Sequence, residues 1–81
     1  MFQKVTIKAK QKIPLLTTKT FGYMLGLSKR QIFKLNRSGE IPAPIRISGA
    51  FRWYEDEILE WLRAGAPNRK TWELQKGTKN G

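Results

Sequence analysis

The 81-residue sequence contains neither cysteine nor histidine. Without cysteine there is no disulfide framework, which is consistent with a reducing compartment. The absence of both residue types argues against zinc and transition-metal sites and removes the usual nucleophile–base pairs, so neither a cofactor nor an enzymatic activity is expected. No continuous run of about 18 apolar residues is present, and the N-terminus lacks the apolar core of a signal peptide, so we expect no membrane-spanning segment.

Acidic residues are scarce in the first part of the chain. Up to Arg52 there are 11 lysines and arginines and one acid, Glu40, whereas from Trp53 onward five basic residues balance five acids. The whole net charge of +10 therefore arises from the first 52 residues. This asymmetry indicates a polyanionic partner, above all a nucleic acid, although a merely solvated basic surface would have the same composition.

Residues 17–37 are predicted to form two short helices joined by a tight turn. Thr17 is the expected N-cap of the first helix, and Gly26 suits a left-handed backbone position after it. Gly22 costs helix stability, and we expect it to let the second helix cross closely over the first. The apolar residues expected to face inward are Phe21, Leu25, Leu27, Ile32 and Leu35.

The second helix carries several basic residues and no acid. Ser28 and Gln31 form an S-x-x-Q capping box at its start. We expect the helix to span Lys29–Arg37 or one residue more, with Gly39 as its C-cap. Phe33 faces outward, where it either packs on the edge of the core and the following hairpin or contacts DNA directly, for example at a thymine methyl group. The pattern is typical of a DNA-binding helix-turn-helix.

Residues 39–54 are predicted to form a two-stranded hairpin. Pro42 and Pro44 exclude a helix, and two short β-prone runs flank Gly49 and Ala50. Alternation within each run predicts one apolar face and one basic face. The apolar face contains Ile45, Ile47, Phe51 and Trp53, and the basic face contains Arg46 and Arg52. Such a hairpin is either a wing whose arginines reach DNA or a purely structural element.

The last firm helix is predicted over residues 55–64, with Asp56 as its N-cap and Gly65 ending it. Its acids, Glu55, Asp56 and Glu57, suit the positive end of the helix dipole and are expected to be solvated. The expected buried stripe contains Ile58, Leu59, Trp61 and Leu62.

The two ends of the chain are less regular. Residues 1–14 alternate between apolar and basic side chains, which fits either a short strand or a basic N-terminal arm. Residues 67–75 are expected to add a short helix anchored by Trp72 and Leu74, although Trp72 could instead bind a partner. Residues 76–81 are expected to be disordered. The predicted organisation is therefore an arm over 1–14, a domain over 15–64 and an extension over 65–81.

Several short segments, in this order and spacing, carry a family resemblance. They are Leu15-Leu16-Thr17, Leu25-Gly26-Leu27-Ser28, Ser38-Gly39-Glu40-Ile41-Pro42-Ala43-Pro44, Arg52-Trp53 and Glu60-Trp61-Leu62. Together they resemble the AlpA-like and excisionase-type helix-turn-helix family, small winged-helix relatives of the MerR DNA-binding domain, over about residues 15–63. The resemblance implies a mainly α fold with three main helices and a two-stranded wing.

The same resemblance implies a function in phages and mobile elements. The second helix is expected to enter the major groove of double-stranded DNA, either to direct recombination toward excision or to regulate transcription. Gly22 stands where the family usually has alanine. Thr18, Lys19 and Thr20 replace a typically acidic first turn, which makes this helix end more favourable to phosphate.

The candidate DNA-binding residues lie in three elements. Those on the second helix are Ser28, Lys29, Arg30, Gln31, Phe33, Lys34 and Arg37, and those on helix one and the wing are Thr18, Lys19, Arg46, Ser48 and Arg52. Lys29, Arg30 and Lys34 are the expected contacts to base edges, with arginine favouring guanine. Gln31 could read adenine or be occupied as a cap. The expected phosphate or wing contacts are Lys19, Arg37, Arg46 and Arg52.

The expected partner is double-stranded DNA in the cytoplasm of a bacterial, phage or mobile-element host. A site-specific recombinase and further copies of the chain on DNA are additional candidate partners. Because no heptads are present, a monomer is expected in solution. The alternative is a protein-interaction module, such as an antirepressor or recombinase partner, whose basic face meets an acidic protein.

Overall fold

Residues 14–80, the part of the chain that the computed structural model describes, contain four helices and a three-stranded antiparallel sheet. The helices are α1 (Thr18–Leu25), α2 (Lys29–Arg37), α3 (Glu55–Arg63) and α4 (Arg69–Asn80), and the strands are β1 (Leu15–Leu16), β2 (Ile45–Ile47) and β3 (Ala50–Tyr54). The arm or strand predicted over 1–14 lies outside the described residues except for Pro14. No helix within residues 14–80 is long and apolar enough to cross a membrane.

The sheet has three strands rather than the predicted two, because β1 pairs with β3. Leu15 lies opposite Tyr54, Leu16 lies opposite Trp53, and β3 is the central strand. A two-residue strand is too short to show the alternation by which strands are predicted from sequence. This pairing places the start of α1 beside the hairpin.

The core lies between the two-helix unit, the sheet and the last two helices. The Phe21 ring centroid is 5.0 Å from that of Trp53 and 6.2 Å from that of Trp61. The indole N–H of Trp53 donates to the Pro42 carbonyl oxygen at 2.9 Å, and that of Trp61 to the Pro67 carbonyl oxygen at 2.7 Å. The buried apolar residues are Leu16, Phe21, Ile32, Ile41, Trp53, Ile58, Trp61 and Trp72.

The apolar stripes predicted for the helices are only partly buried. The predicted inward set of the first two helices is confirmed, since Phe21 and Ile32 are fully buried and Leu25, Leu27 and Leu35 pack against them. On α3, Leu59 and Leu62 are each 36% exposed, and on α4 Leu74 is 67% exposed. These three predictions were wrong because only one edge of each helix meets the core.

Glycines shape the turn between α1 and α2. Gly26 has a φ of 70° and is the C-cap of α1, as predicted. A Cβ at Gly22 would lie 2.5 Å from the carbonyl oxygen of Leu27 but 3.5 Å from Cγ1 of Ile32 on α2. The Leu27 N–H also donates to the Gly22 carbonyl oxygen at 2.8 Å. Gly22 is therefore required mainly by the close approach of the turn, and only secondarily by α2.

The hairpin faces differ from the prediction. Ser48 and Gly49 form the turn with φ values of 51° and 81°, so Ile47 pairs with Ala50, Arg46 with Phe51 and Ile45 with Arg52. Directly paired residues project to the same face of a sheet. A two-residue turn pairs an odd-numbered residue with an even-numbered one, which places Arg46 on the Phe51 face and Arg52 on the Ile45 face.

Several helix ends also differ from the prediction. Tyr54, not Asp56, is the N-cap of α3, and the Asp56 carboxylate instead accepts from the Glu57 N–H at 2.8 Å. Ser38 is the C-cap of α2, and Gly39 follows it with a φ of 75°. The helix predicted over 67–75 begins at Arg69 and continues to Asn80.

Candidate nucleic-acid interface

The start of α2 is held by the predicted capping box. The Ser28 N–H donates to Oε1 of Gln31 at 2.8 Å, and the Gln31 N–H donates to Oγ of Ser28 at 3.2 Å. Bidentate recognition of adenine requires both the oxygen and the amino group of a glutamine. The Gln31 oxygen is already an acceptor within the cap, so Gln31 contributes mainly to helix stability in this conformation.

The outer face of α2 is basic around one aromatic ring. A shallow depression here is lined by Arg30, Phe33, Lys34 and Arg37. Arg30, Lys34 and Arg37 are spaced by one and two helical turns, so they project from the same side of the helix. Phe33, which lies among these basic residues, is 41% exposed. We call this set the outer face.

A second depression lies between the start of α1, the start of α2 and the hairpin. This depression, the wing cleft, has a volume of about 370 Å³ and a polar and aromatic lining. Its lining residues are Thr17, Thr18, Lys19, Lys29, Phe33, Arg46, Gly49, Ala50, Phe51 and Arg52. It therefore joins six of the predicted site residues from three elements, and it meets the outer face at Phe33.

Aromatic and basic side chains alternate across the wing cleft. The ring centroids of Phe33 and Phe51 are 6.4 Å apart, so Phe33 both packs on the hairpin and remains partly exposed. The Arg46 guanidinium lies 5.3 Å from the Phe51 ring centroid. Nη1 of Arg52 donates to the Phe51 carbonyl oxygen at 2.7 Å. Because of the hairpin register, Arg46 approaches the cleft from the aromatic face rather than from the opposite one.

The remaining predicted site residues are placed differently. Ser48 lies at the exposed tip of the hairpin turn and does not line the wing cleft. Lys76 forms ion pairs with Glu57 and Glu73, far along the chain from the basic residues of the cleft and outer face. Among the described side chains, the basic residues of these two surfaces form no ion pair with an acid.

Arg69 supports the end of α2 and was not predicted as a functional residue. Its N–H donates to the Gly39 carbonyl oxygen at 2.9 Å, and its Nε donates to the Ile41 carbonyl oxygen at 3.0 Å. Its Nη2 donates to the carbonyl oxygen and to Oδ1 of Asn36, at 3.1 and 2.7 Å. A cation at the C-terminal end of α2 also complements the helix dipole. No local sequence signal links Arg69 to a helix that ends about 30 residues earlier.

Glu57 was expected to be solvated, but its side chain instead joins α3 to α4. Its Oε2 accepts from the indole N–H of Trp72 at 2.9 Å and from Nζ of Lys76 at 2.8 Å, and Lys76 also lies 3.4 Å from Glu73. Burial alone would lower the pKa of Lys76, but the hydrogen bond and charge of Glu57, with a contribution from Glu73, raise it overall. Trp72 is only 4% exposed, so it is a core residue and not a partner-binding one.

One family model matches the chain. It is the model of the prophage CP4-57 regulatory protein (AlpA), and it covers residues 15–65. The matched segment extends from β1 to just beyond α3 and includes the outer face and the wing cleft, whereas α4 lies outside it. Neither a curated protein nor a solved structure matches the chain.

Proposed function

The chain belongs to the AlpA family of prophage regulatory proteins, and we propose that it binds specific sequences in double-stranded DNA. In this role it acts as an excisionase, which directs recombination toward excision, or as a small transcriptional regulator of a phage or mobile element. The family consists of regulators rather than enzymes.

One observation supports the proposal most strongly. The outer face and the wing cleft form adjoining basic surfaces that share Phe33, and no acid is among the residues that line either of them. Seven cations contribute to this combined surface. They are Lys19, Lys29, Arg30, Lys34, Arg37, Arg46 and Arg52. Such a surface suits the regular negative charge of a duplex.

The proposed geometry is that of a winged helix-turn-helix. α2 lies in the major groove, where Arg30 donates to guanine O6 and N7 and Lys34 contacts a neighbouring base edge. The hairpin lies beside α2 and contacts the flanking backbone through Arg46 and Arg52. Arg37, one turn beyond Lys34, binds phosphate.

The proposal is tested by selecting binding sequences from a pool of random duplexes and measuring affinity in gel-shift assays against a shuffled duplex. We expect an enriched sequence whose affinity falls with salt. If about five phosphates are neutralised, the slope of log K against log salt is about −4 to −5. The absence of salt-sensitive binding at micromolar protein would contradict the proposal.

Replacing Arg30 tests base recognition directly. We expect Arg30→Ala to weaken binding to the selected duplex by about 1–3 kcal/mol and to relax preference at one base pair. Arg63→Ala is the matched control, because Arg63 is an exposed arginine on α3, outside both basic surfaces. An equal loss of affinity for the selected and the shuffled duplex would show that Arg30 does not contact a base edge.

Excision control and transcriptional regulation use the same DNA-binding surface and differ in where the site lies. A selected sequence beside a recombinase attachment site, with stimulation of excision in a reconstituted reaction, supports the first. A selected sequence overlapping a promoter supports the second. In either case we propose a cytoplasmic protein, monomeric in solution, that acts with a recombinase or with further copies of itself on DNA.

The protein-interaction alternative loses one of its two supports beyond the basic charge. That alternative was favoured slightly by Trp72 and the C-terminal tail, and the Trp72 side chain is buried and hydrogen-bonded to Glu57. Capture of an acidic partner without any affinity for duplex DNA would revive it.

A further inference from the structure

We infer that the wing cleft holds one backbone phosphate of the bound DNA, with the Thr18 hydroxyl as a neutral donor and Lys29 as a charge partner. This inference rests on the proposed DNA-binding function and specifies which part of the surface meets backbone rather than bases. It assigns Lys29 a different role from that of its neighbour Arg30, although both were expected to contact base edges.

Thr18 provides the first argument. It is only 8% exposed and is the buried polar residue of the described chain, yet no hydrogen bond within residues 14–80 involves its hydroxyl. A buried hydroxyl without a partner is costly, typically by about 1–3 kcal/mol. Thr18 lines the wing cleft. A phosphate oxygen in the cleft would accept the hydrogen bond that the folded chain leaves unmade.

The backbone at the start of α1 provides the second argument. The Thr20 N–H donates to Oγ1 of Thr17 at 3.0 Å, and the Phe21 N–H donates to the Thr17 carbonyl oxygen at 2.9 Å. The amides of Thr18 and Lys19 precede these bonds and have no intrahelical acceptor. The first turn of α1 contains no acid. Its N–H groups therefore remain available to an anion at the cleft.

The cations around the cleft provide the third argument. Lys19, Lys29, Arg46 and Arg52 come from α1, α2 and the two strands of the hairpin, and all four line the same depression. Converging cations together with free N–H and O–H donors are suited to a phosphate group rather than to a base edge, which presents both donors and acceptors.

The different roles of Lys29 and Arg30 follow from the directions in which their side chains project from α2. Adjacent residues on a helix project about 100° apart, so Lys29 lines the wing cleft while Arg30 lines the outer face. A phosphate contact fixes position on the duplex and carries no sequence information, whereas a contact to a base edge does. The two residues should therefore differ in how their loss affects specificity.

The first arm of the test uses inorganic phosphate as the probe. The labelled full chain is titrated with sodium phosphate, against sodium chloride at equal ionic strength, and followed by amide NMR. We expect saturable shifts of the Thr18 and Lys19 amides. Thr18→Val should weaken this response by about 3- to 10-fold, the equivalent of one hydrogen bond. Thr71→Val, at an exposed threonine of α4, should leave it unchanged.

The second arm uses duplex DNA and the pair Lys29→Ala and Arg30→Ala, both at exposed positions where folding is not at risk. We expect Lys29→Ala to lower the affinity for the selected and the shuffled duplex by the same factor. The slope of log K against log salt should become shallower by about 1. Arg30→Ala should instead lower the affinity for the selected duplex more than the affinity for the shuffled one. A loss of specificity in Lys29→Ala as large as that in Arg30→Ala would overturn the inference.

The two arms separate failure of the inference from failure of the proposed function. If phosphate shifts the cleft amides but no duplex binds, the proposed function is wrong and the cleft remains an anion site. If duplexes bind but the Thr18 and Lys19 amides do not respond to phosphate, or respond equally in Thr18→Val, the inference is overturned and the function stands.

Discussion

The described chain before Trp53 and the chain after it use basic side chains differently. In the first region, Lys29 and Arg30 are exposed and have no acidic partner within residues 14–80. In the second region, Arg69 and Lys76 are hydrogen-bonded to other elements of the domain. These two side chains of the first region therefore stay open to solvent, whereas those of the second hold helices together.

The part of the chain outside the family match also supports the outer face of α2, which carries the proposed DNA contacts. α4 follows the matched residues 15–65, yet it contributes Trp72 to the core and Arg69 to the end of α2. A small core supplies only about 3–5 kcal/mol of stability, so each of these contacts is a large share of the total.

The largest expected effect is that of Trp72→Ala. Truncating a buried tryptophan costs about 3–5 kcal/mol, so most of the protein should be unfolded. Circular dichroism with urea titration measures the change. Leu74→Ala is the matched control on the same helix, because Leu74 is 67% exposed and its loss should alter stability by less than about 0.5 kcal/mol. Wild-type stability in Trp72→Ala would mean that α4 is dispensable.

The next effect is that of Arg69→Ala. The change leaves acceptors on Asn36 and Ile41 without their donors and should cost about 2 kcal/mol in unfolding free energy. Lys70→Ala, at the exposed neighbouring position, should have little effect. DNA affinity measured at matched folded fraction should fall similarly on selected and shuffled duplexes. If only the selected duplex were affected, Arg69 would belong to recognition and the two regions would not be separable.

Gly22→Ala tests the packing of the first region, where Gly22 lies close to the turn between α1 and α2. Helix propensity alone predicts a gain of about 1 kcal/mol, but the new Cβ would meet the Leu27 carbonyl oxygen, and overpacking of this kind costs about 1–3 kcal/mol. We therefore expect a net loss near 1 kcal/mol by thermal or urea unfolding. Tyr23→Ala, at a residue that is 78% exposed on the same helix, gains propensity without the clash. A more stable Gly22→Ala would show that the turn relaxes freely.

The smallest effect concerns pH. The pKa of Lys76 is raised in the folded state above its ordinary 10.5, so the contribution of its charge is fully present below pH 10.5 and is lost as the pH rises through the folded value. Stability should therefore fall more steeply above pH 10.5 in the wild type than in Lys76→Met. The free energies of unfolding of the two proteins are compared by urea titration at each pH, so that the contribution of the other lysines cancels. Parallel curves would show that the ion pair with Glu57 adds nothing measurable.

Local features were predicted well from sequence. The Thr17 N-cap, the Ser28–Gln31 capping box and the left-handed Gly26 are confirmed. Each depends on groups within about four residues, so the information lies in a short stretch of chain. The predicted N-cap Asp56 was wrong, because α3 begins at Glu55 directly after β3 and Tyr54, which pairs with Leu15, is its N-cap without a side-chain hydrogen bond.

Features that join distant residues were not predictable in the same way. The hairpin faces depend on a pairing register, and an error of one residue exchanges the two faces. The bond of Arg69 to Asn36 spans 33 residues, and that of Trp72 to Glu57 spans 15. No periodicity or cap links such partners, because they meet only once the core has formed.

By itself, the sequence determined where the charge lies, which residues cap α1 and α2, and the family to which residues 15–65 belong. Composition and contacts between near neighbours are sufficient for these. Only the tertiary structure decided that Arg46 and Lys29 line one cleft with Thr18 while Arg30 does not. The reason is that a side chain's direction follows from its own backbone, whereas its neighbours follow from how helices and hairpin pack together.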